Sequence, residues 1–135
     1  MLVEDDENDR LFFMDAIRYM PHVTVYGVAH SADEAIEKLT GAVALPDLIV
    51  ACCDMPLLTA IELLKRIKED PIIKNIPLVF LSKDATQEEQ ARSLGASGFI
   101  RKADDLEVMK SQLSLLVGTD FSRDDVAFQT TPSEI

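Results

Sequence analysis

Basic residues are scarce in this chain. Thirteen Lys and Arg stand against 24 Asp and Glu over 135 residues, a formal net charge of -11. A nucleic-acid surface needs clustered Lys and Arg to neutralise phosphates, and this balance argues against one. It argues equally against docking on anionic lipid. Long apolar runs are missing too; none approaches the roughly 18 residues of a membrane span. The N-terminus lacks the basic region and apolar stretch of a signal peptide. Only two cysteines occur, adjacent at positions 52 and 53, which makes no disulfide framework. These absences point to a cytoplasmic protein with no nucleic-acid and no membrane partner. There is no internal repeat and no low-complexity segment. A chain of this length fits one domain burying roughly two-thirds of its unfolded surface.

What is present is an alternation of apolar runs and amphipathic segments, repeated five times. Met1 to Val3 is a strand stub. Asp9 to Met20 has a helical apolar face of Leu11, Phe12, Met14, Ala16 and Ile17, and Pro21 stops it. Val23 to Ala29 is rich in β-branched residues and reads as a strand. Ser31 and Glu34 form a capping box for a helix ending near Gly41. Asp47 to Cys52 is nearly all apolar, the pattern of a strand covered on both faces in a parallel sheet. Thr59 can cap a helix through about Glu69, with Ile61, Leu63, Leu64 and Ile67 inward. Pro77 to Ser82 is a fourth strand. Thr86 and Glu89 form a second capping box, and Gly95 suits the C′ position of that helix. Gly98 to Lys102 is a fifth strand, and Asp104 to Val117 a last helix closed by Gly118. Residues 119–135 form a polar tail with one weak apolar cluster at Val126-Ala127-Phe128, a composition that favours partial disorder.

Such βα units predict a doubly wound α/β fold with right-handed crossovers and helices on both faces. Its site lies beyond the carboxyl ends of the strands, where the strand order reverses. Glu4-Asp5, Cys52, Ser82 and Lys102 all stand at those ends. Taken singly each is an ordinary polar strand exit. In that order, with Asp54-Met55-Pro56 after Cys52 and Gly95-Ala96-Ser97-Gly98 before the fifth strand, they resemble the receiver domain of bacterial two-component response regulators.

The resemblance spans residues 1–118 and implies a flavodoxin-like (βα)5 fold, a five-stranded parallel sheet in the order 2-1-3-4-5. It implies a Mg²⁺ held by Glu4, Asp5, the acceptor side chain and the backbone carbonyl of Asp54. It implies an acceptor at position 52, with Lys102 on the phosphoryl oxygens and Ser82 and Phe99 responding to them. A sensor histidine kinase or another signalling protein is the partner so implied. The chain is then a signalling module rather than an enzyme. With no output domain in residues 119–135, its output surface is the face of the fourth helix, fifth strand and fifth helix, through which a homodimer can also form.

Cys52 departs from that pattern, because receivers carry an aspartate there. A soft sulfur is a poor ligand for hard Mg²⁺, and a thiol offers one donor atom where a carboxylate offers two. Metal binding is therefore expected to be weakened. A stand-alone receiver not phosphorylated at the usual position, acting through protein contact, is the first reading. An ordinary phosphoryl-accepting receiver, with Cys52 an engineered change or Asp54 as substitute acceptor, is the alternative. A flavodoxin would need a phosphate-binding loop where Glu4-Asp5-Asp6-Glu7 would repel phosphate. Thr59-Ala60 replaces the usual Asp-Gly or Asn-Gly, Lys83 follows Ser82 where a small residue is usual, and Ala103 follows Lys102 in place of Pro. Without Pro, the bond after Lys102 is expected to be trans.

Overall fold

Alternation of side chains along parallel strands builds the molecule in three layers. The computed structural model describes residues 1–52, 57–118 and 127–129. The strands are β1 (Leu2–Val3), β2 (Val28–Ala29), β3 (Ile49–Cys52), β4 (Leu78–Ser82), β5 (Gly98–Arg101) and β6 (Ala127–Gln129). Interleaved with them are α1 (Glu7–Ile17), α2 (Ala32–Thr40), α3 (Leu57–Glu69), α4 (Glu88–Ser93) and α5 (Leu106–Val117). The order in the sheet is β2-β1-β3-β4-β5-β6, and every pairing is parallel.

Strand residues divide by parity between two cores. Val3, Ala29, Ile49, Ala51, Leu78, Phe80 and Phe99 pack with residues of α2, α3 and α4. Leu2, Val50, Cys52, Val79, Leu81 and Ile100 pack with residues of α1 and α5. All four residues of β3 are buried, as its continuous apolar run requires. Ile61, Leu63, Leu64 and Ile67 face inward from α3.

The expected order 2-1-3-4-5 is present, and a sixth strand extends it. The segment read as a polar tail contributes β6, whose Ala127, Phe128 and Gln129 register against Gly98, Phe99 and Ile100. A strand at the end of a sheet has one row of open backbone groups, and β6 takes that row on β5.

Other boundaries moved for local reasons. The strand expected over residues 23–29 is paired only at Val28–Ala29, because β1 offers only Leu2 and Val3 as partners. Helix α1 starts earlier than read: Asp6 Oδ1 accepts from Asn8 N at 2.8 Å and Asp9 N at 3.4 Å. Leu11, expected on the inward face, is exposed. The Ser31 cap holds, with Glu34 N donating to its Oγ at 3.1 Å. The returning carboxylate instead accepts from His30 N, at 2.9 Å, which is the main cause holding the Glu34 carboxyl below its ordinary value.

Helix α3 begins at Leu57, two residues before the expected Thr59 cap. The Thr86–Glu89 capping box does not form. The Thr86 hydroxyl donates to Asp84 Oδ1 at 2.6 Å within a 3-10 turn, Ala85–Gln87, because a carboxylate is the stronger acceptor. That bond is the main cause lowering the Asp84 carboxyl from its ordinary value.

Gly95 closes α4 in a Schellman motif. Its N–H donates to the Arg92 carbonyl and the Ala96 N–H to the Ala91 carbonyl, both at 3.1 Å. Its φ is +92°, and a Cβ there would meet only Lys68 Cε at 3.6 Å, an ordinary contact. Gly95→Ala is therefore expected to lower stability by about 1–2 kcal/mol through backbone conformation alone, with the fold retained. Urea denaturation followed by circular dichroism checks this; a change below a few tenths of that range would contradict it.

Candidate functional site

The carboxyl ends of β1, β3, β4 and β5 bring Glu4, Cys52, Ser82 and Lys102 to one edge of the sheet. Glu4 leaves β1 with its N–H on the Ala29 carbonyl at 2.9 Å. Its side chain is buried, with a relative exposure of 1%. Lys102 leaves β5 with its N–H on the Ser82 carbonyl at 2.7 Å. Its ammonium lies 3.2 Å from Glu4 Oε1 and 2.9 Å from Asp9 Oδ2, with the side chain 3% exposed. The second oxygen, Glu4 Oε2, accepts from Asp6 N at 3.2 Å.

Asp9 is the residue missed from sequence. Its sequence position suggests only a helix start, yet the Asp6 cap places it in the first turn of α1, within reach of the Lys102 ammonium. The available signal was its position one turn beyond a capping aspartate, on the helix that leaves the acidic pair. Asp5, expected beside Glu4, is exposed.

Cys52 is buried at the end of β3, in register with Leu81 and on the α1–α5 side of the sheet. Asp54 lies outside the described residues, as does Cys53. The Ser82 hydroxyl is buried and points into the β4–α4 loop. It accepts from Asp84 N at 3.1 Å and reaches Gln87 Oε1 at 3.3 Å and the Asp84 carbonyl at 3.5 Å. Phe99 is fully buried in the core beneath α4. No peptide bond among the described residues is cis, so Lys102–Ala103 is trans, as expected. Beside Lys102 a small cavity of about 210 Å³ is lined by Asp9, Phe12, Lys83, Lys102, Ala103 and Asp104.

The described residues do not fit a Mg²⁺ site as they stand. Both Glu4 oxygens are engaged, an ammonium sits between Glu4 and Asp9, and Asp5 is exposed. Among the described residues no group of three His, Cys, Asp or Glu is placed to hold a metal. Nor is any helix among them long and apolar enough to cross a membrane.

A doubly wound parallel sheet with an acid–lysine cluster at its carboxyl edge defines a receiver-type signalling domain. The model of the response regulator receiver domain family matches residues 1–114, and the chain belongs to that family. It is 34% identical over 104 residues to a protein-glutamate methylesterase/protein-glutamine glutaminase of Desulfotalea psychrophila, covering 76% of this chain and 28% of that protein. The chain thus spans just over a quarter of that relative. It is 25% identical to the chemotaxis protein CheY1 of Helicobacter pylori, covering 88% of this chain and 96% of that one. Among solved structures, the phosphorylated cyanobacterial phytochrome response regulator RcpA aligns with a TM-score of 0.72 and 26% identity, over 88% of this chain and 93% of that chain. The Mn²⁺-bound form of the response regulator Rcp1 aligns with a TM-score of 0.70 at 20% identity, over 88% of this chain and 94% of that chain, a likeness of fold.

Burial decides what the ion pairs contribute. Lys102→Ala would leave the Glu4 carboxylate uncompensated at 1% exposure, and is expected to cost about 3–5 kcal/mol. Arg66→Ala removes a 2.6 Å pair with Asp33 whose carboxylate is 90% exposed, and is expected to cost no more than about 1 kcal/mol. Chemical denaturation of both variants checks the contrast; equal losses would contradict it.

Proposed function

We propose that the chain is a receiver module of two-component signalling that acts through protein–protein contact and is not phosphorylated at position 52. The observation that carries this is the thiol of Cys52 buried at the end of β3, where the family resemblance calls for an acceptor carboxylate. An aspartate at such a place attacks a phosphoryl donor with one oxygen while the other oxygen binds metal. A thiol has one donor atom and cannot do both. Its sulfur also matches Mg²⁺ poorly.

The remaining parts of the site support the same reading. Ser82 is turned to Asp84 and Gln87, and Phe99 is packed inside. Among the described residues the Lys102 ammonium pairs with the carboxylates of Glu4 and Asp9. What this chain's residues do here is hold a cation and join β1, α1 and β5. Where Mg²⁺ binds a receiver it neutralises phosphoryl oxygens; here its binding is weakened. The module is not an enzyme, and its partner is a sensor histidine kinase or another signalling protein. The surface it offers is formed by α4, β5 and α5, now with β6 added along the β5 edge. Helix α4 presents exposed Glu89 and Gln90, which suits a small, transient interface or a weak homodimer rather than an obligate one.

Incubation with acetyl phosphate and Mg²⁺ followed by intact-mass measurement tests the reading. No mass change is expected for the native chain, and one acid-labile phosphoryl group on Cys52→Asp. A phosphoryl gain on the native chain, at Asp54 or elsewhere, would overturn it in favour of a phosphoryl-accepting receiver.

A further inference from the structure

We propose that the ammonium of Lys102, rather than a divalent ion, is the resident cation of this carboxylate cluster, and that Asp9 is the residue that positions it. The inference rests on the receiver reading of the site but not on whether the chain can be phosphorylated.

Two carboxylates brought together in a desolvated place require a cation. In this chain the requirement is met from within. Lys102 Nζ lies 2.9 Å from Asp9 Oδ2 and 3.2 Å from Glu4 Oε1, while Glu4 Oε2 is taken by the Asp6 amide. A divalent ion approaching Glu4 would have to strip that oxygen from the ammonium or the amide. It would then sit within a few ångströms of a positive charge with little water between them to screen it. Asp5, the other expected metal ligand, is exposed, and among the described residues no ion pair joins it to Lys102.

Asp9 decides where the ammonium rests. It lies closer to the ammonium than Glu4 does, and it comes from the first turn of α1, a different element from Glu4. Its side chain is 22% exposed against 1% for Glu4. Asp9 therefore closes the solvent side of the lysine while Glu4 closes the protein side. The backbone holds Lys102 from a third direction, through its N–H on Ser82. The side chain is thus aimed between β1 and α1. Asp9 is a positioning residue: it acts through Lys102.

Mg²⁺ alone is the probe, titrated calorimetrically into the full chain and into Lys102→Met. Removing the internal cation is expected to tighten Mg²⁺ binding at least tenfold, since Glu4 and Asp9 then face each other unneutralised. Affinities equal within twofold would overturn the proposal. If the methionine variant does not fold, Asp9 variants and lysine ammonium NMR decide. The Lys102 ammonium signal is expected to be protected from exchange and unmoved by excess Mg²⁺ in the native chain. It is expected to be lost in Asp9→Asn and recovered in Asp9→Glu. A signal displaced by Mg²⁺ in the native chain, or one indifferent to Asp9→Asn, would overturn it. Neither readout involves phosphoryl transfer, so failure here and failure of the functional reading are separable.

Discussion

The structure depends on one buried cation. Lys102 reaches from the end of β5 to Glu4 at the end of β1 and Asp9 in α1, and it does so almost without solvent. Desolvation makes such an arrangement costly unless every charge has a partner, so the geometry of all three elements is constrained together. The same contact joins positions 98 residues apart. The carboxyl edge of the sheet is in this sense assembled by electrostatics, and the core beneath it by burial.

That core is simple in its logic. In a parallel sheet covered on both faces, odd and even strand residues enter different cores, and each must be apolar. Phe80 and Phe99 fill the α2–α3–α4 side, while Leu2, Val79, Leu81 and Ile100 fill the α1–α5 side. Cys52 belongs to the second set, so its side chain packs on the α1–α5 side of the sheet. A small thiol satisfies the packing role without supplying the charge that a carboxylate would bring. Membership of the receiver family describes the scaffold; the chemistry at position 52 has to be argued from the residue that stands there.

Exposed polar contacts illustrate the opposite regime. The Arg66–Asp33 pair is short but its carboxylate is almost fully solvated, and it shapes the surface more than it stabilises it. The caps matter more locally. Asp6, Ser31 and Asp105 each accept backbone N–H groups at a helix start, and Asp6 in doing so turns α1 to bring Asp9 over Lys102. A capping residue thereby becomes part of how the site is built.

Local pattern was enough to read much of this molecule. Continuous apolar runs marked β3 and β4, Ser31 marked the start of α2, and Gly95 marked the end of α4, because each reflects interactions within a few residues. Glu4, Cys52, Ser82 and Lys102 were legible as strand exits for the same reason. Other features belong to pairings between distant segments. Residues 23–26 have strand composition but pair with no strand among the described residues, and Ala127–Gln129 has weak composition but an open edge on β5 to join. Asp9 read as an ordinary helix-start residue until the crossover from β1 to α1 placed it 2.9 Å from an ammonium carried by β5. Sequence determined where strands end and which charges they carry. Only the tertiary structure decided which of those charges meet, because an ion pair is set by three-dimensional distance and the loss of water around it.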